Sequence, residues 1–323
     1  MKFLPILIVM FLGSSFQLPV MADGPVIQEW AVPFEGARPR DPYVDAKGQV
    51  WFCDQRRGFL GIFNPKTEGF SEIKLGEGVK PHNLIIDEDG YVWFAANTKP
   101  FIGRLDPETN SVTSFPMPEG RATDPHTLIF DGKGYIWFTA QWSNDVGRLN
   151  MVTGQVDVMP VPTAKSRPYG IKLAPNGDIW VVLFGTNKLA HIDPDSLTLT
   201  EIELPRKEIR PRRLEITRDG QIWYGDYAAG FLGRFNPESK ETTEWLMPGG
   251  EDASPYGMAQ DDQGTLWIAE GGVPNRMVSF DPATEEFTSV QDITHAKGAM
   301  SSTARWYVAS GSPRSSAAIA GQN

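Results

Sequence analysis

The sequence predicts an all-β protein, a seven-bladed β-propeller of four-stranded antiparallel blades that is closed by an N-terminal strand and has a degenerate last blade. Six tryptophans recur at intervals of 42 to 44 residues, and a proline precedes each of them by twelve positions. The segments around them are short alternating or continuous apolar runs, which are typical of propeller strands and not of helical repeats. The six pairs are Pro39 and Trp51, Pro81 and Trp93, Pro125 and Trp137, Pro168 and Trp180, Pro211 and Trp223, and Pro255 and Trp267.

The third repeat illustrates how each blade is predicted. The run "HTLIFD" is strand a, "YIWFTAQ" strand b, "DVGRLN" strand c and "QVDVMPVP" strand d. The segments "DGKG" and "NMVTG" supply the glycine and asparagine that tight hairpin turns require, and the aspartates of the a–b turns are interpreted as turn formers. The repeat tryptophan falls in the middle of strand b, where we expect its indole to pack between adjacent sheets.

Closure of the ring is predicted from the two ends of the chain. Residues 26–33, "VIQEWAVP", resemble the last strands of later repeats although they precede the first one. We expect them to pair with the last blade, because closure removes exposed strand edges. The sixth repeat already has a last strand in "EFTSVQDI", so a seventh, degenerate unit is predicted around "AKGAMSSTARWYVASG". The predicted propeller domain covers residues 23–309, and residues 310–323 are expected to be a disordered tail.

Residues 1–22 have the pattern of a cleavable secretory signal, with one lysine, an apolar run and a small-residue end. Pro5 and Gly13 interrupt that run, so we expect a soluble protein that is secreted or periplasmic. Cys53 is the only cysteine, which excludes an intrachain disulfide, and its place in "VWFCD" indicates a buried packing residue. The net charge of −10 disfavours nucleic acid or an anionic membrane as a partner. We expect a monomer that acts on a small molecule.

The mouth of the central channel is the expected ligand site. In an antiparallel blade the beginning of strand a and the end of strand b emerge on the same face of the disc. Strand a is the innermost strand, so the residues that follow the repeat prolines should surround the channel. The predicted inner ring is Arg40, His82, His126, Tyr169, Arg212 and Tyr256, and the residues ending strand b behind it are Asp54, Gln55, Asn97, Gln141, Phe184, Asp226, Tyr227 and Glu270.

Two histidines occupy matching positions in neighbouring repeats. Facing sheets lie about 10 Å apart, so the imidazoles of His82 and His126 can converge on one small group. Histidine is well suited to exchange a proton near neutral pH, and Asp124 could bind a cation or orient the His126 ring. Alternatively, each histidine only hydrogen-bonds a loop carbonyl. His191 replaces an arginine of strand c and is interpreted as structural, and the sequence does not place His295.

The repeat, "P-[HY]-x-[IL]" followed by an acidic turn, "[IV]-W-F" and "G-R-[IL]", is similar to that of the streptogramin B lyase (virginiamycin B lyase) family over roughly residues 26 to 292. The resemblance implies a seven-bladed propeller with magnesium-dependent lyase activity, which opens a cyclic depsipeptide at its ester by elimination. It implies His126 as the catalytic histidine and His82 as the second functional one. It places the metal ligands at Asp124 and at Gln141, where the family has glutamate, and loss of that carboxylate is expected to weaken Mg²⁺ binding.

Three functions remain open from the sequence. The first is a lyase-like enzyme that uses histidine acid–base chemistry and a divalent cation on an ester or lactone-type substrate. The second is a metal-dependent lactonase resembling the gluconolactonase group, and the third is a non-catalytic binding module for a small anion or peptide. The candidate residues are His82 and His126 for the first, Asp54, Asp226 and Glu270 as metal ligands for the second, and Arg40, Arg212, Arg213, Tyr169 and Tyr256 for the third.

Overall fold

The computed structural model describes residues 27–293 and two further strands at residues 305–309 and 317–318. The predicted signal segment at residues 1–22, His295 and the predicted tail apart from residues 317–318 lie outside the described residues. Nearly all regular structure in the described part is β-strand. Within that part, no helix has the length and apolarity needed to cross a lipid bilayer.

Six sheets of four antiparallel strands follow one another in chain order, one for each proline–tryptophan repeat. The predicted all-β propeller of four-stranded blades is therefore confirmed. In each blade the strands pair in the order a, b, c, d, and the a strands of blades 3 to 6 each contact the next one around the channel. Strand b, which carries the tryptophan, is mostly buried, whereas strand d is largely exposed at the outside.

The strands have the following bounds. β1 (Ile27–Ala31) precedes the first blade. Blade 1 contains β2 (Pro39–Val44), β3 (Val50–Asp54), β4 (Phe59–Asn64) and β5 (Gly69–Lys74). Blade 2 contains β6 (Leu84–Ile86), β7 (Val92–Ala95), β8 (Phe101–Leu105) and β9 (Val112–Pro116). Blade 3 contains β10 (Pro125–Phe130), β11 (Tyr135–Ala140), β12 (Asp145–Asn150) and β13 (Val156–Pro160).

The second half of the ring continues in the same way. Blade 4 contains β14 (Pro168–Leu173), β15 (Ile179–Leu183), β16 (Lys188–Asp193) and β17 (Thr198–Glu203). Blade 5 contains β18 (Pro211–Ile216), β19 (Ile222–Asp226), β20 (Phe231–Phe235) and β21 (Thr242–Leu246). A 3₁₀ turn at Gly250–Asp252 precedes blade 6, which contains β22 (Pro255–Gln260), β23 (Leu266–Glu270), β24 (Arg276–Asp281) and β25 (Glu286–Asp292).

The prediction of seven four-stranded blades is wrong, because the described residues form six such blades and one smaller sheet. In this three-stranded sheet β1 pairs with β26 (Arg305–Ala309), which pairs in turn with β27 (Ala317–Ala318). β27 contacts β2 and β22, the inner strands of the first and last blades. The described C-terminal residues supply only two short strands, so the sheet reaches three with β1. The N-terminal segment does pair with a C-terminal strand, as predicted, with Ile27 opposite Ala309.

The repeat tryptophans explain the aspartates of the a–b turns. In blades 1, 2, 3 and 6 an aspartate six residues before the tryptophan accepts a hydrogen bond from the indole Nε1 at 2.7 to 3.2 Å. In blade 2, for example, Asp87 accepts from the indole of Trp93 at 2.7 Å and from the backbone N–H of Tyr91 at 2.9 Å. Each such carboxylate therefore closes the turn and also fixes the indole between two sheets. The interpretation of these aspartates as turn formers is confirmed.

The glycine of the "GRL" segment lies in strand c opposite the aromatic residue that follows the repeat tryptophan. Phe94 pairs with Gly103, and a Cβ added to this glycine would come within 2.2 Å of the Phe94 ring. Blade 4 has Val181 opposite Ala190 instead. A smaller residue in strand b thus accompanies a larger one in strand c, which keeps the core densely filled. The other aromatic–glycine pairs are Phe52 with Gly61, Phe138 with Gly147, and Tyr224 with Gly233.

His191 has the structural role that its sequence position indicates. In blade 2 the guanidinium of Arg104 lies 5.5 Å from the centroid of the Trp93 ring. In blade 4 the His191 ring takes this place, 5.0 Å from Trp180, and its Nε2 lies 2.8 Å from a carboxylate oxygen of Asp178. The thiol of Cys53 is fully buried in the core, as the sequence predicts.

Candidate functional site

Strand a contains a β-bulge at the channel mouth in most blades. In blade 3, Pro125 pairs with Ala140 and Leu128 with Phe138, so two consecutive residues of β10 stand opposite one residue of β11. Strand a of blades 1, 4, 5 and 6 has a similar shift of register. A bulge re-aims side chains, so a blade can present two consecutive residues to the channel. The side chains placed in this way are Asp41, His126, Thr127, Tyr169, Arg212, Arg213 and Tyr256.

The structure brings the two histidines of neighbouring blades into contact. The ring centroids of His82 and His126 are 3.5 Å apart, and the ring planes are inclined by 35°. The Tyr169 ring lies 4.3 Å from that of His126 on the other side. Both histidines are at least 97% buried. Burial, with the positive charges nearby, lowers the pKa of His82 to about 3 and that of His126 well below its usual range, so both imidazoles are neutral near pH 7.

Asp41 is the acidic residue of this site, and the sequence analysis did not identify it. Its Oδ2 lies 3.3 Å from His82 Nδ1, at ion-pair distance but not aligned as a hydrogen bond, and its Oδ1 accepts from Arg213 Nη2 at 2.8 Å. Burial alone would raise the pKa of Asp41, but Arg213 and His82 lower it well below its usual range, so the carboxylate is ionised. Its φ of +45° lies in the left-handed region, which is costly for a residue with a side chain.

Three arginines and two tyrosines fill the other side of the mouth. Arg40 Nη2 donates to the phenol oxygen of Tyr256 at 3.0 Å, and that oxygen lies 3.1 Å from the phenol oxygen of Tyr169. Arg212 Nη2 lies 3.5 Å from the Tyr169 oxygen, and its guanidinium is 4.2 Å from the ring centroids of both Tyr227 and Tyr256. Burial alone would raise the pKa of Tyr256, but the three arginines lower it to about 8.

Gln55 and Asn97, which follow strand b in blades 1 and 2, connect Arg40 to the strand that carries His126. Arg40 Nη1 donates to the side-chain oxygen of Gln55, and Gln55 Nε2 donates to Asn97 Oδ1 at 2.9 Å. Asn97 Nδ2 donates to the carbonyl oxygen of Pro125 at 3.4 Å, one residue before His126. These hydrogen bonds link blades 1, 2 and 3 at the mouth, so they fix the relative positions of the inner side chains.

Asp124 and Gln141, the predicted magnesium ligands, do not form a metal site with the histidines. Asp124 accepts hydrogen bonds from the backbone N–H groups of Trp142 and Ser143 at 2.6 and 2.9 Å, and from the Ser143 hydroxyl. Its carboxylate thereby holds the b–c loop of blade 3, and Gln141 supplies only a neutral amide. Over the residues described, no group of three or more His, Cys, Asp or Glu side chains is arranged to hold a metal ion. These residues do not fit Mg²⁺, which favours carboxylate oxygens.

The carboxylates at the ends of three b strands have structural partners instead of facing the mouth. All three side chains are fully buried, and each accepts a backbone hydrogen bond from the loop that precedes strand a of its own blade. They fasten that loop to strand b, so the arrangement gives no support to the lactonase alternative. The donors are the N–H of Arg38 at 2.6 Å for Asp54, the N–H of Arg210 at 2.9 Å for Asp226, and the N–H of Gly249 at 2.9 Å for Glu270.

The residues missed from the sequence share one signal. Asp41 and Thr127 each stand two positions after a repeat proline, whereas the predicted inner ring used only the position directly after it. Arg213, which the sequence analysis did name as a candidate, occupies the same position in blade 5. The inner ring itself comes together as a group: His82, His126, Tyr169, Arg212, Arg40 and Tyr256 all contact another of its members. Their functional roles stay predictions.

A profile described as the virginiamycin B lyase family matches residues 17–274 of the sequence. Searching the curated proteins gives no significant match. Several solved structures share the fold. They include selenomethionine-substituted virginiamycin B lyase from Staphylococcus aureus, with 22% sequence identity and a TM-score of 0.76, where the match covers 87% of this chain and 95% of that chain.

Two further structures extend the comparison. A catalytically inactive variant of the Staphylococcus aureus enzyme with quinupristin gives 23% identity and a TM-score of 0.76, again over 87% of this chain and 95% of that chain. The extracellular domain of BT4673 from B. thetaiotaomicron gives 16% identity and a TM-score of 0.60, over 80% of this chain and 36% of that chain. At these identities the likeness establishes the propeller architecture, and the chemistry has to be argued from the side chains at the mouth.

Proposed function

The chain belongs to the virginiamycin B lyase family, and from this premise we propose that it is an enzyme that opens an ester or lactone-type ring by elimination. The observation that supports this best is the contact between two neutral imidazoles, His82 and His126, beside a cluster of guanidinium groups. A base and a group that stabilises negative charge, both within reach of one substrate, are the two requirements of such a reaction.

The reaction balances without water or a redox partner. A base removes the hydrogen from a carbon next to a carbonyl group, and the electron pair of that C–H bond forms a C=C bond. The adjacent alkyl C–O bond of the ester breaks, and its electrons leave with the carboxylate. The base then releases the proton to the departing carboxylate or to solvent, so the opened acid has the same mass as the cyclic substrate.

We assign the base to His126. Its Nδ1 lies 2.9 Å from the hydroxyl oxygen of Thr127. In the tautomer in which Nδ1–H donates to Thr127, Nε2 carries the lone pair that accepts the substrate proton. The positive charge that forms when His126 accepts the proton is stabilised by the carboxylate of Asp41, which lies 3.3 Å from His82. His82 thus connects the base to its counter-ion.

The negative charge that develops on the substrate meets the opposite side of the mouth. Arg40, Arg212 and Arg213 carry permanent positive charge in surroundings with little water, where an interaction with an anion is stronger than in bulk solvent. The phenol of Tyr256, 3.0 Å from Arg40, can donate a hydrogen bond to the same anion while it remains protonated, below about pH 8.

We also propose that the enzyme acts outside the cytoplasm, as a monomer, on a small molecule. The secretory pattern of residues 1–22 supports export. Expression of the chain with and without these residues, followed by separation of cytoplasmic and exported fractions, tests this part. Export of the full chain alone is the expected result, and equal retention of both forms would contradict it.

The test of the activity is incubation with a streptogramin B antibiotic, followed by chromatography and mass spectrometry. We expect a product of unchanged mass with altered retention and fragmentation, and loss of at least a hundredfold in rate for His126→Ala, in line with the contribution of a general base, about 10²- to 10⁴-fold. His191→Ala, which alters a histidine outside the channel, is the matched control and should retain activity. A product heavier by one water, or no product from the wild type, would refute the proposed reaction on this substrate.

A further inference from the structure

We propose that Arg40, Arg212 and Arg213 bind an oxyanion group, a carboxylate or a phosphate, on the ligand that enters the channel mouth. The inference deepens the proposed function and rests on it for the identity of the ligand, because it names the substrate class as an ester or lactone that also carries an acidic group. The binding site itself is argued from geometry and charge.

The three guanidinium groups converge on one region. Arg40 and Arg212 contact the two phenol oxygens, of Tyr256 and Tyr169, which are 3.1 Å apart. Arg213 lies over the same two rings, with its central carbon 5.1 Å from the Tyr169 centroid and 5.9 Å from that of Tyr256. A group that replaced or bridged the phenol oxygens would therefore meet all three cations.

Positive charge exceeds negative charge at this point. Asp41 is the acidic side chain that pairs with the cluster, and it pairs with Arg213 at 2.8 Å. The hydrogen-bond partners of Arg40 and Arg212 among the described side chains are neutral: an amide and a phenol for Arg40, and a phenol for Arg212. In addition, the Nε of Arg212 is buried and has no hydrogen-bond partner among the described residues. A buried guanidinium without a full set of acceptors is costly, and an oxyanion would supply acceptors in the geometry that arginine prefers.

Three partly buried arginines that hold loops elsewhere in this chain are paired with carboxylates. Arg206 is paired with Glu244 and with Asp226, at 2.7 and 2.9 Å. Arg121 is paired with Asp145 at 2.7 Å, and Arg276 lies 3.2 Å from Glu270. In these three cases a carboxylate of the protein itself neutralises an arginine that holds a loop. Two of the three arginines at the mouth lack such a partner, which indicates that their counter-charge comes from a ligand.

Acidic groups on the ligand would also activate the proposed base. Burial is the largest cause that lowers the pKa of His126, and Arg213, Arg40 and Arg212 lower it further. An anion bound between these arginines offsets their charge. The proton affinity of the imidazole should therefore rise when the ligand binds.

The net negative charge of the molecule does not oppose an anion at the mouth. Loops on this face carry exposed lysines, such as Lys80 and Lys165, among their acidic residues. The turns on the opposite face are mostly acidic, as in the run Asp87, Glu88 and Asp89. Much of the negative charge therefore lies far from the arginine cluster, and at distances beyond about 10 Å it is screened at 0.1 M salt.

Isothermal titration calorimetry with succinate, phosphate and the neutral control succinamide tests the proposal at pH 7 in low salt. We expect at least one anion to bind and succinamide not to bind. Arg40→Gln, with its fold checked by circular dichroism, should weaken anion binding about 10- to 100-fold, the range for a hydrogen bond to a charged group. Arg218→Gln, on the opposite face, is the matched control and should bind as the wild type does.

Each outcome decides a separate question. Binding of succinate only or of phosphate only identifies the oxyanion, whereas equal binding of succinamide or full binding by Arg40→Gln overturns the proposal. If Arg40→Gln does not fold, the wild-type affinity is measured between 50 and about 500 mM salt, and an affinity that does not fall with salt overturns it. Anion binding without opening of a streptogramin supports the anion site and refutes the proposed lyase activity on this substrate. Ring opening without anion binding does the reverse.

Discussion

Two imidazoles with ring centroids 3.5 Å apart and almost no exposed surface cannot both carry a charge. Removal from water is the largest cause that lowers the pKa of both imidazoles. The charge of Arg40 lowers the pKa of His82 further, and the His82 ring and the arginines lower that of His126 further. The neighbouring carboxylate of Asp41 offsets only part of this lowering, because it is also bound to Arg213. The pair can therefore carry at most one positive charge.

This arrangement predicts how stability depends on pH. The pKa of His82 is about 3 in the folded state and about 6.5 in the unfolded chain, so between these values the unfolded state binds more protons. Stability should fall as the pH is lowered from 6.5, by up to about 1.4 kcal/mol per pH unit for each such histidine. In His82→Gln the slope of unfolding free energy against pH, measured by urea denaturation between pH 6.5 and 4.5, should be smaller than in the wild type. Equal slopes would contradict this, and His191→Gln controls for loss of an imidazole outside the channel.

A second prediction at this scale concerns Asp124. Since its carboxylate holds two backbone N–H groups and a hydroxyl of the b–c loop, Asp124→Ala should destabilise the protein by about 1 to 3 kcal/mol. The loss should be the same with and without magnesium in thermal unfolding. Glu119→Ala, at an exposed position of the loop that precedes β10, is the control. A magnesium-induced rise in the melting temperature of the wild type that disappears in Asp124→Ala would instead assign a metal-binding role to this residue.

At the scale of the strand, most blades match the size of the residue after the repeat tryptophan to the size of the strand c residue opposite it. In blades 1, 2, 3 and 5 the phenylalanine or tyrosine after the repeat tryptophan lies opposite a glycine of strand c. Blade 4 pairs Val181 with Ala190, and blade 6 pairs Ile268 with Val278. Such compensation is expected because protein interiors are packed as densely as organic crystals. An added methyl group fits only where a neighbouring side chain is smaller.

This size matching predicts that a second substitution can restore stability lost by the first. Gly103→Ala places a methyl group within 2.2 Å of the buried Phe94 ring and should destabilise the protein by about 1 to 3 kcal/mol. Adding Phe94→Val, which recreates the pair found in blade 4, should recover part of that loss. The double-mutant cycle is measured by urea denaturation, and a coupling energy of zero would show that the two positions do not compete for the same space.

Prediction from sequence succeeded where the repeat is regular and failed where it is not. The proline–tryptophan spacing is enough to locate the inner strands, and the position after each proline is enough to gather the inner ring, including His82 and His126. The bulges in strand a are not visible in the pattern, because the inserted residue changes register without changing composition. Asp41 and Thr127 were missed for that reason.

Two other differences have separate physical causes. Asp124 was predicted to bind a cation or to orient His126, whereas in the structure its carboxylate accepts hydrogen bonds from backbone N–H groups of the b–c loop. The number of blades was overestimated because closure requires a partner for β1, and this partner was counted as a seventh, degenerate blade. A sheet of three short strands also provides one.

On the scale of the whole molecule, the ring is held together by a contact between its two ends. β1 pairs with β26 over five residues on each strand, and Trp30 packs on Phe63 of blade 1 at a centroid distance of 4.9 Å. β1 therefore joins the C-terminal strand to the first blade. Without it, β26 would lose a row of hydrogen bonds and present an exposed strand edge.

Deletion of residues 27–31 should lower the urea midpoint and cause association that increases with protein concentration, because an unpaired strand edge can pair with another chain. Size-exclusion chromatography coupled to light scattering measures the second effect. Trp30→Ala removes the ring contact but keeps the backbone pairing, so it should lower stability and leave the protein monomeric. A deletion variant that stays monomeric with an unchanged midpoint would show that the ring does not depend on this strand.

The bulges of strand a have a consequence for how such a molecule can be altered. Because the inserted residues make no regular pair with strand b, exchanging their side chains leaves the ladder, the indole–aspartate ties and the aromatic–glycine pairs untouched. The side chains at the channel mouth can therefore vary almost independently of the scaffold, two adjacent residues at a time. A library randomised at Arg212 and Arg213 should yield many well-folded proteins with different ligand preferences, whereas one randomised at Trp223 and Tyr224 should yield few that fold at all.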